Sequence, residues 1–303
     1  MTSAIHSIRR ARDTLATGTR RSRDWARYRA ANADVELLEA AFEQHVYERH
    51  FHETYAIGVT LRGVQRFRGG SRTHNSMPGD VMVIPPGEIH DGESGAAGGY
   101  AYRMFYIREA ALRDVLEDAL ATGSTTPPRG AFILHDAKLA RRVNSAWKAM
   151  SVAPDSLRAE ELFRQALALL SARDPRDTVR CSCTDRNLLA VRSYLLDNLL
   201  QHVSMQALAS VAGLSRFQLT RRFQRAFGLP LHAYQVQARL QEAKLRLRAG
   251  ADIASVAHEL GFADQSHLHR RFKGAFGITP AQWRNAFRTP QGKSPSQHIP
   301  RSS

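Results

Sequence analysis

The sequence predicts an α+β multidomain protein: a barrel of short strands, a helical linker behind it, and an all-α C-terminal domain with two helix-turn-helix units. Three observations lead there. Apolar alternation of period two ends near residue 108 and gives way to helical spacing. The rhythm of residues 209–234 returns at 256–283. Positive charge gathers at the two ends of the chain.

With 303 residues, of which 43% are hydrophobic, the chain is long enough for two ordinary domains. No window approaches the roughly 18 apolar residues that cross a bilayer. The Arg-rich start lacks a secretory apolar stretch and is interrupted by Asp13 and Asp24, so a cytoplasmic protein with no membrane partner is expected. Cys181 and Cys183 make neither a disulfide framework nor a zinc site, and are read as reduced and incidental. The net charge is +15, and its distribution is informative. Residues 184–303 hold 17 Lys/Arg against 6 Asp/Glu, residues 1–30 hold 8 against 2, and residues 31–183 hold 18 against 20. A patterned basic segment of this kind attracts polyanions, above all nucleic acid.

Residues 1–24 read as a basic disordered tail. Strand-like sequence follows over 25–108. "HETYAIGVTLRG" sets Tyr55, Ile57, Val59 and Leu61 against smaller or polar neighbours, with turns at Gly63 and Gly69-Gly70. "GDVMVIPPG" and "YAYRMFYI" are further strand candidates, and their spacing suggests a barrel or sandwich. Over 109–172 the periodicity is helical: "REAALRDVLEDALAT" puts Leu112, Val115, Leu116 and Ala119 on one face. "DAKLARRVNSAWKAM" and "SLRAEELFRQALALLSA" do the same. These helices are expected to pack on the barrel, with homodimer formation as the functional alternative. Residues 173–186 read as a linker, 187–287 as the helical domain, and 288–303 as a disordered tail.

Within the helical domain, Ala209, Gly213 and Leu214 precede Leu219, Arg221 and Phe223. Ala257, Gly261 and Phe262 precede Leu268, Arg270 and Phe272 in the same way. Alanine lets two helices cross closely, and glycine four residues on accepts the left-handed conformation that ends the first helix. Ser204 and Asp252 are suitable N-caps. Leu219, Phe223 and Phe227 recur at i, i+4 and i+8, as do Leu268, Phe272 and Phe276, so these must face a core. That leaves Arg216, Phe217, Thr220, Arg221 and Gln224 in the first unit, and Gln265, Ser266, His269, Arg270 and Lys273 in the second, as candidate base contacts in a major groove. Arg222, Arg225 and Arg271 are candidate phosphate contacts.

The stretch 253–284 resembles the second helix-turn-helix of the AraC/XylS family of bacterial transcription regulators. The family signature is matched by Ile253-Ala254, Gly261-Phe262, Ser266, Arg270-x-Phe272-Lys273, Gly277-x-Thr279-Pro280 and Trp283-Arg284, and residues 239–250 match the joining helix. Pro230 replaces the threonine in the first unit, so its last turn is expected to differ. The resemblance, over about 187–287, implies two recognition helices in successive major grooves of promoter DNA. It also implies RNA polymerase as a partner and activation as the usual outcome.

The front domain resembles a cupin barrel more loosely, through "HFH" at 50–52 and "PPGEIH" at 85–90. The metal-binding glutamate of that pattern is missing: Ala56, Ile57 and Gly58 occupy its place. Neither a metal nor another cofactor is therefore expected. Regulators of the resembled family carry such a barrel to bind a small-molecule effector; His50, His52, Tyr55, His90, Tyr102 and Arg103 are the candidate lining residues. The rival reading is a metal-dependent cupin enzyme fused to a DNA-binding domain.

Overall fold

The computed structural model describes residues 24–70, 72–119, 132–172 and 185–287. Nearly all of the expected N-terminal tail and of the expected linker, with both cysteines, lies outside the described residues, as does the C-terminal tail.

Among the described residues, ten strands form two antiparallel sheets. They are β1 Trp25–Ala30, β2 Val35–Phe42, β3 Tyr47–His50, β4 Thr54–Gly63, β5 Gln65–Gly69, β6 Arg72–Ser76, β7 Asp80–Ile84, β8 His90–Ser94, β9 Tyr100–Arg108 and β10 Phe132–His135. The larger sheet has the order β1-β2-β9-β4-β7-β10, the smaller β3-β8-β5-β6. The strand β10 falls within the stretch expected to be helical. Its four residues "FILH" are too few for a stable helix, and they pair with β7, which would otherwise be an open edge.

Each strand of the large sheet sorts its residues by parity. Leu38, Ala40 and Phe42 of β2, Ala56 of β4, and Tyr100, Tyr102 and Met104 of β9 face the interior between the sheets. Leu37, Tyr55, Ile57, Val59, Phe105 and Ile107 face outward onto helices. Gly58 sits where β4 meets β9: a Cβ there would lie 2.4 Å from the Arg103 carbonyl oxygen and 2.5 Å from Met104 Sδ. The helices on the outer face are α1 Glu109–Ala119, α2 Ala137–Val152 and α3 Leu157–Ser171. Asp136 and Ser156 cap the last two, and Trp147 Nε1 donates to the Met104 carbonyl at 3.2 Å.

The C-terminal domain comprises α4 Arg186–Asp197, α5 Met205–Ala212, α6 Arg216–Phe227, α7 Leu231–Arg248, α8 Ile253–Glu259, α9 Gln265–Phe276 and α10 Pro280–Phe287. The pairs α5–α6 and α8–α9 are the two helix-turn-helix units. Ser204 and Asp252 cap α5 and α8 through side-chain oxygens, and Gly213 and Gly261 take left-handed φ of 61° and 68°. Helix α7 joins the units: Leu231, Tyr234 and Ala238 belong to the first unit's core, and Val236, Leu240, Ala243 and Leu247 to the second's.

The two units close differently, as the Pro230 substitution suggested. Pro230 starts α7 with no side-chain cap, whereas Thr279 and Gln282 cap each other's backbone at the start of α10. This second closure places Trp283 in a fully buried position. Its Nε1 donates to the Lys244 carbonyl at 3.0 Å, and its ring meets Tyr28 of the barrel edge-on at 5.0 Å. Trp283→Ala should cost roughly 3–5 kcal/mol, seen as a lower urea midpoint. A change under about 0.5 kcal/mol, typical of a surface site, would mean that this ring does not anchor the domain.

Candidate nucleic-acid interface and effector pocket

Helix α6 begins with a capping box in which Ser215 accepts from the Gln218 backbone and Gln218 accepts from that of Ser215. Its buried stripe is Leu219 and Phe223, with Phe227 only half-buried beneath the Arg192 guanidinium. The opposite face carries the five expected base contacts, all exposed. Phe217, Thr220, Arg221 and Gln224 line one shallow depression together with Arg225. The Arg216 guanidinium is tethered to Gln206 Oε1 on α5 at 2.9 and 3.1 Å. Thr220 donates its hydroxyl back to the Arg216 carbonyl, leaving its oxygen as an acceptor. Arg222 lies on a different side, 2.8 Å from Asp185.

Helix α9 repeats the division, with Leu268, Phe272 and Phe276 buried and Gln265, Ser266, His269, Arg270 and Lys273 exposed. Arg271 departs from its expected solvent-facing position: it turns onto the barrel, where it pairs with Glu48 of β3 at 2.8 Å. The contact is close, since a Cβ on Gly274 would lie 2.8 Å from the Glu48 carboxyl.

Both units rest on the barrel. Phe51 stacks on Tyr234 at 5.1 Å and joins the core of the first unit along with Ile89. The second unit continues the barrel's own interior cluster, in which Tyr28, Phe42, Tyr47 and Met104 are contiguous with Leu240, Phe272, Phe276 and Trp283. Tyr28 donates to the Phe276 carbonyl at 3.1 Å. Glu36 receives Lys244 at 3.5 Å and Arg248 at 2.8 Å. The Lys244 ammonium also sits 4.4 Å from the Trp283 ring centre, close enough for a cation–π contact.

Inside the barrel, three of the expected lining residues come together. His50 and His90 are partners across β3 and β8, with ring centres 4.3 Å apart, and His52 lies 4.9 Å from His90. All three are buried. Each Nδ1 meets a backbone carbonyl: Glu48 at 2.7 Å, Thr54 at 2.6 Å and Glu88 at 2.9 Å. A carbonyl only accepts, so Nδ1 carries the proton and Nε2 of the neutral ring is an acceptor. His52 Nε2 is buried without a partner, as are Tyr100 Oη and Gln65 Oε1. Tyr102 faces the same interior and shares a 2.8 Å hydrogen bond with Tyr47. Among the described residues, no group of three or more His, Cys, Asp or Glu is arranged to hold a metal ion.

Two expected lining residues are displaced. Tyr55 packs in the outer cluster beneath the helices. Arg103 also points outward, binding Glu39 at 2.6 and 2.9 Å and Asn144 at 2.7 Å above the Trp147 ring. Both lie one position from an inward-facing residue, and one step along a strand reverses the face. Tyr28, Tyr47 and Tyr100 were missed. The period-two series Tyr100, Tyr102, Met104 carried the signal for Tyr100, since it shares a parity with Tyr102.

Residues 32–167 match the family model of the AraC-like ligand binding domain, and residues 208–286 match that of a helix-turn-helix domain. The chain is thus a transcription regulator in which a ligand-binding domain precedes a helix-turn-helix DNA-binding domain. It belongs to the AraC/XylS family. The uncharacterized HTH-type transcriptional regulator YbfI of Bacillus subtilis is 26% identical over 236 residues, 73% of this chain and 81% of that protein. The arabinose operon regulatory protein of Escherichia coli is 26% identical over 242 residues, 76% of this chain and 80% of that protein. The crystal structure of ToxT from Vibrio cholerae has the same fold over 84% of this chain and 99% of its own, with a TM-score of 0.58 at 9% identity. Among the described residues, no helix is long and apolar enough to cross a membrane.

Burial holds the histidine cluster neutral. It brings His90 down to about 4 and, with neighbouring imidazoles, pushes His50 and His52 well below the ordinary 6.5. Between those limits the unfolded chain binds more protons than the folded one, so stability falls as pH drops through this window. The melting temperature should therefore decline between about pH 7 and about pH 4.5, less steeply in His90→Gln than in the native chain. Equal slopes would show that the cluster titrates like exposed histidine.

Proposed function

We propose that the chain regulates transcription, as an activator working in the cytoplasm. Helices α6 and α9 enter successive major grooves of promoter DNA, and a small-molecule effector in the barrel controls them. The observation that carries this reading is the continuity of the barrel interior with the core of the second unit, while the base-facing residues of both units stay exposed. Arg216, Phe217, Thr220, Arg221 and Gln224 read one half-site; Gln265, Ser266, His269, Arg270 and Lys273 read the other. Arg222 and Arg225 contact phosphates. RNA polymerase is the downstream partner, and the outer helices α2 and α3 are the surface through which a homodimer would form. The regulators matched by the chain give the enzymatic alternative no support.

The effector pocket is the cluster of His50, His52, His90 and Tyr102, joined by Tyr47 and Tyr100. Its unpartnered buried groups, the His52 Nε2 acceptor and the Tyr100 hydroxyl, suit a polar ligand that brings a hydrogen-bond donor to the imidazole. Control requires the effector to favour one arrangement of barrel and DNA-binding domain over another. The coupling passes through "HFH" and its neighbour Glu48. His50 is held by the Glu48 carbonyl, the Glu48 carboxylate holds Arg271, and Phe51 points from the same strand end into the first unit. In the effector-free arrangement the barrel competes with a DNA phosphate for Arg271.

Selection of bound DNA from a random pool by the full chain, at near-physiological salt, should enrich an asymmetric motif with two blocks about one helical turn apart. Binding without an enriched motif would mean that net charge alone carries the affinity. Arg270→Ala should relax preference at one base position by about 1–3 kcal/mol, read from the affinities of single-base variants of that motif. Arg225→Ala should weaken all sequences alike and lower the salt slope by roughly one unit; a changed base preference would reassign it.

Glu48→Gln should tighten DNA binding by the effector-free chain and steepen its salt dependence by about one phosphate contact, a slope change near 0.9. Unchanged affinity and slope would show that Arg271 has no phosphate to reach.

A further inference from the structure

Phe217 is 75% exposed, although it is a large apolar side chain. It is the second residue of α6 and lies away from that helix's buried stripe of Leu219 and Phe223. Its neighbours in the surface depression are Thr220, Arg221, Gln224 and Arg225, each of which offers a hydrogen bond or a charge. Phe217 offers neither. The N-terminal residues of a recognition helix are the ones that reach base edges. On a major-groove floor, the one apolar group that distinguishes a base pair is the C5-methyl of thymine.

We infer that Phe217 is a specificity-determining residue that packs on the C5-methyl group of one thymine in the half-site read by α6. The inference rests on the base-reading role proposed above and names the chemistry of one position within it. The second unit lacks this reader. The residue equivalent to Phe217 is Ser266, exposed and polar at the same place on α9. The two half-sites therefore differ in kind: methyl recognition belongs to the α6 block alone. The depression around Phe217 contains two arginine side chains, which favour a polyanionic duplex over an apolar protein surface as its occupant.

The test uses the full chain and the motif obtained by selection. Each thymine in turn is replaced by uracil, which removes the C5-methyl and leaves every hydrogen-bonding group in place. One position in the α6 block should lose roughly fourfold in affinity, the worth of one buried methyl group. The loss should vanish in Phe217→Ser, which copies the second unit, and shrink in Phe217→Leu. Folding is monitored by the melting temperature, which a side chain so exposed should leave unchanged. The inference is overturned if no uracil substitution in the α6 block lowers affinity, if the loss persists in Phe217→Ser, or if that block contains no required thymine. It is equally overturned if Phe217→Ser leaves DNA binding intact and changes only the association state, which would make the ring a protein contact. Arg270→Ala separates the two levels of failure. If it still relaxes its own base position, only the Phe217 assignment is lost; if it does not, the base-reading scheme fails with it.

Discussion

The structure depends on one seam, where the open side of the barrel interior is closed by the second helix-turn-helix unit. Trp283, Phe276 and Gly277 cover residues that would otherwise be an exposed aromatic lining: Tyr28, Tyr47 and Phe42. A Cβ on Gly277 would stand 2.9 Å from both the Phe42 ring and the Tyr47 hydroxyl, so the two parts meet at backbone distance. The core between the two sheets is therefore shared with the DNA-binding domain, whereas the core on the outer face of the large sheet involves only the barrel and its own helices. Any change in how the barrel interior is filled is felt by the helices that close it.

The seam combines two kinds of contact with different consequences. The apolar part is continuous and fully desolvated, and it supplies most of the adhesion. The ionic part consists of Glu36 with Lys244 and Arg248, and Glu48 with Arg271. The Glu48 pair is substantially exposed, at 33% and 41% of the side chains, and pairs of that kind contribute little to stability. Their value lies in orientation: each fixes a basic residue of the DNA-binding domain against an acidic group of the barrel.

The histidine cluster shows how local and distant order meet. "HFH" places His50 and His52 on one side of the chain and Phe51 on the other, as expected of extended backbone. The sequence pointed to those histidines and to His90 as a group, and the pairing of β3 with β8 brings His50 and His90 into register. It did not reveal that Phe51 would serve the first helix-turn-helix unit. Nor did it reveal Arg271, which on helical spacing alone belongs with the exposed basic face. The partner that draws Arg271 onto the barrel, Glu48, lies over two hundred residues earlier. No pattern within α9 encodes that.

What the sequence by itself determined were features written within one turn or one helix. These include the paired units, their caps at Ser204 and Asp252, the left-handed glycines at 213 and 261, and the split between buried apolar residues and exposed polar ones. Each rests on interactions between residues three or four apart, where identity and spacing suffice. Only the tertiary structure decided which parity of each strand faces the barrel interior, that Tyr55 and Arg103 lie outside it, that "FILH" becomes an edge strand, and that the second unit seals the barrel. The physical reason is the same in each case. A strand's two faces differ by one residue, and the choice between them is made by long-range packing, which no local spacing specifies.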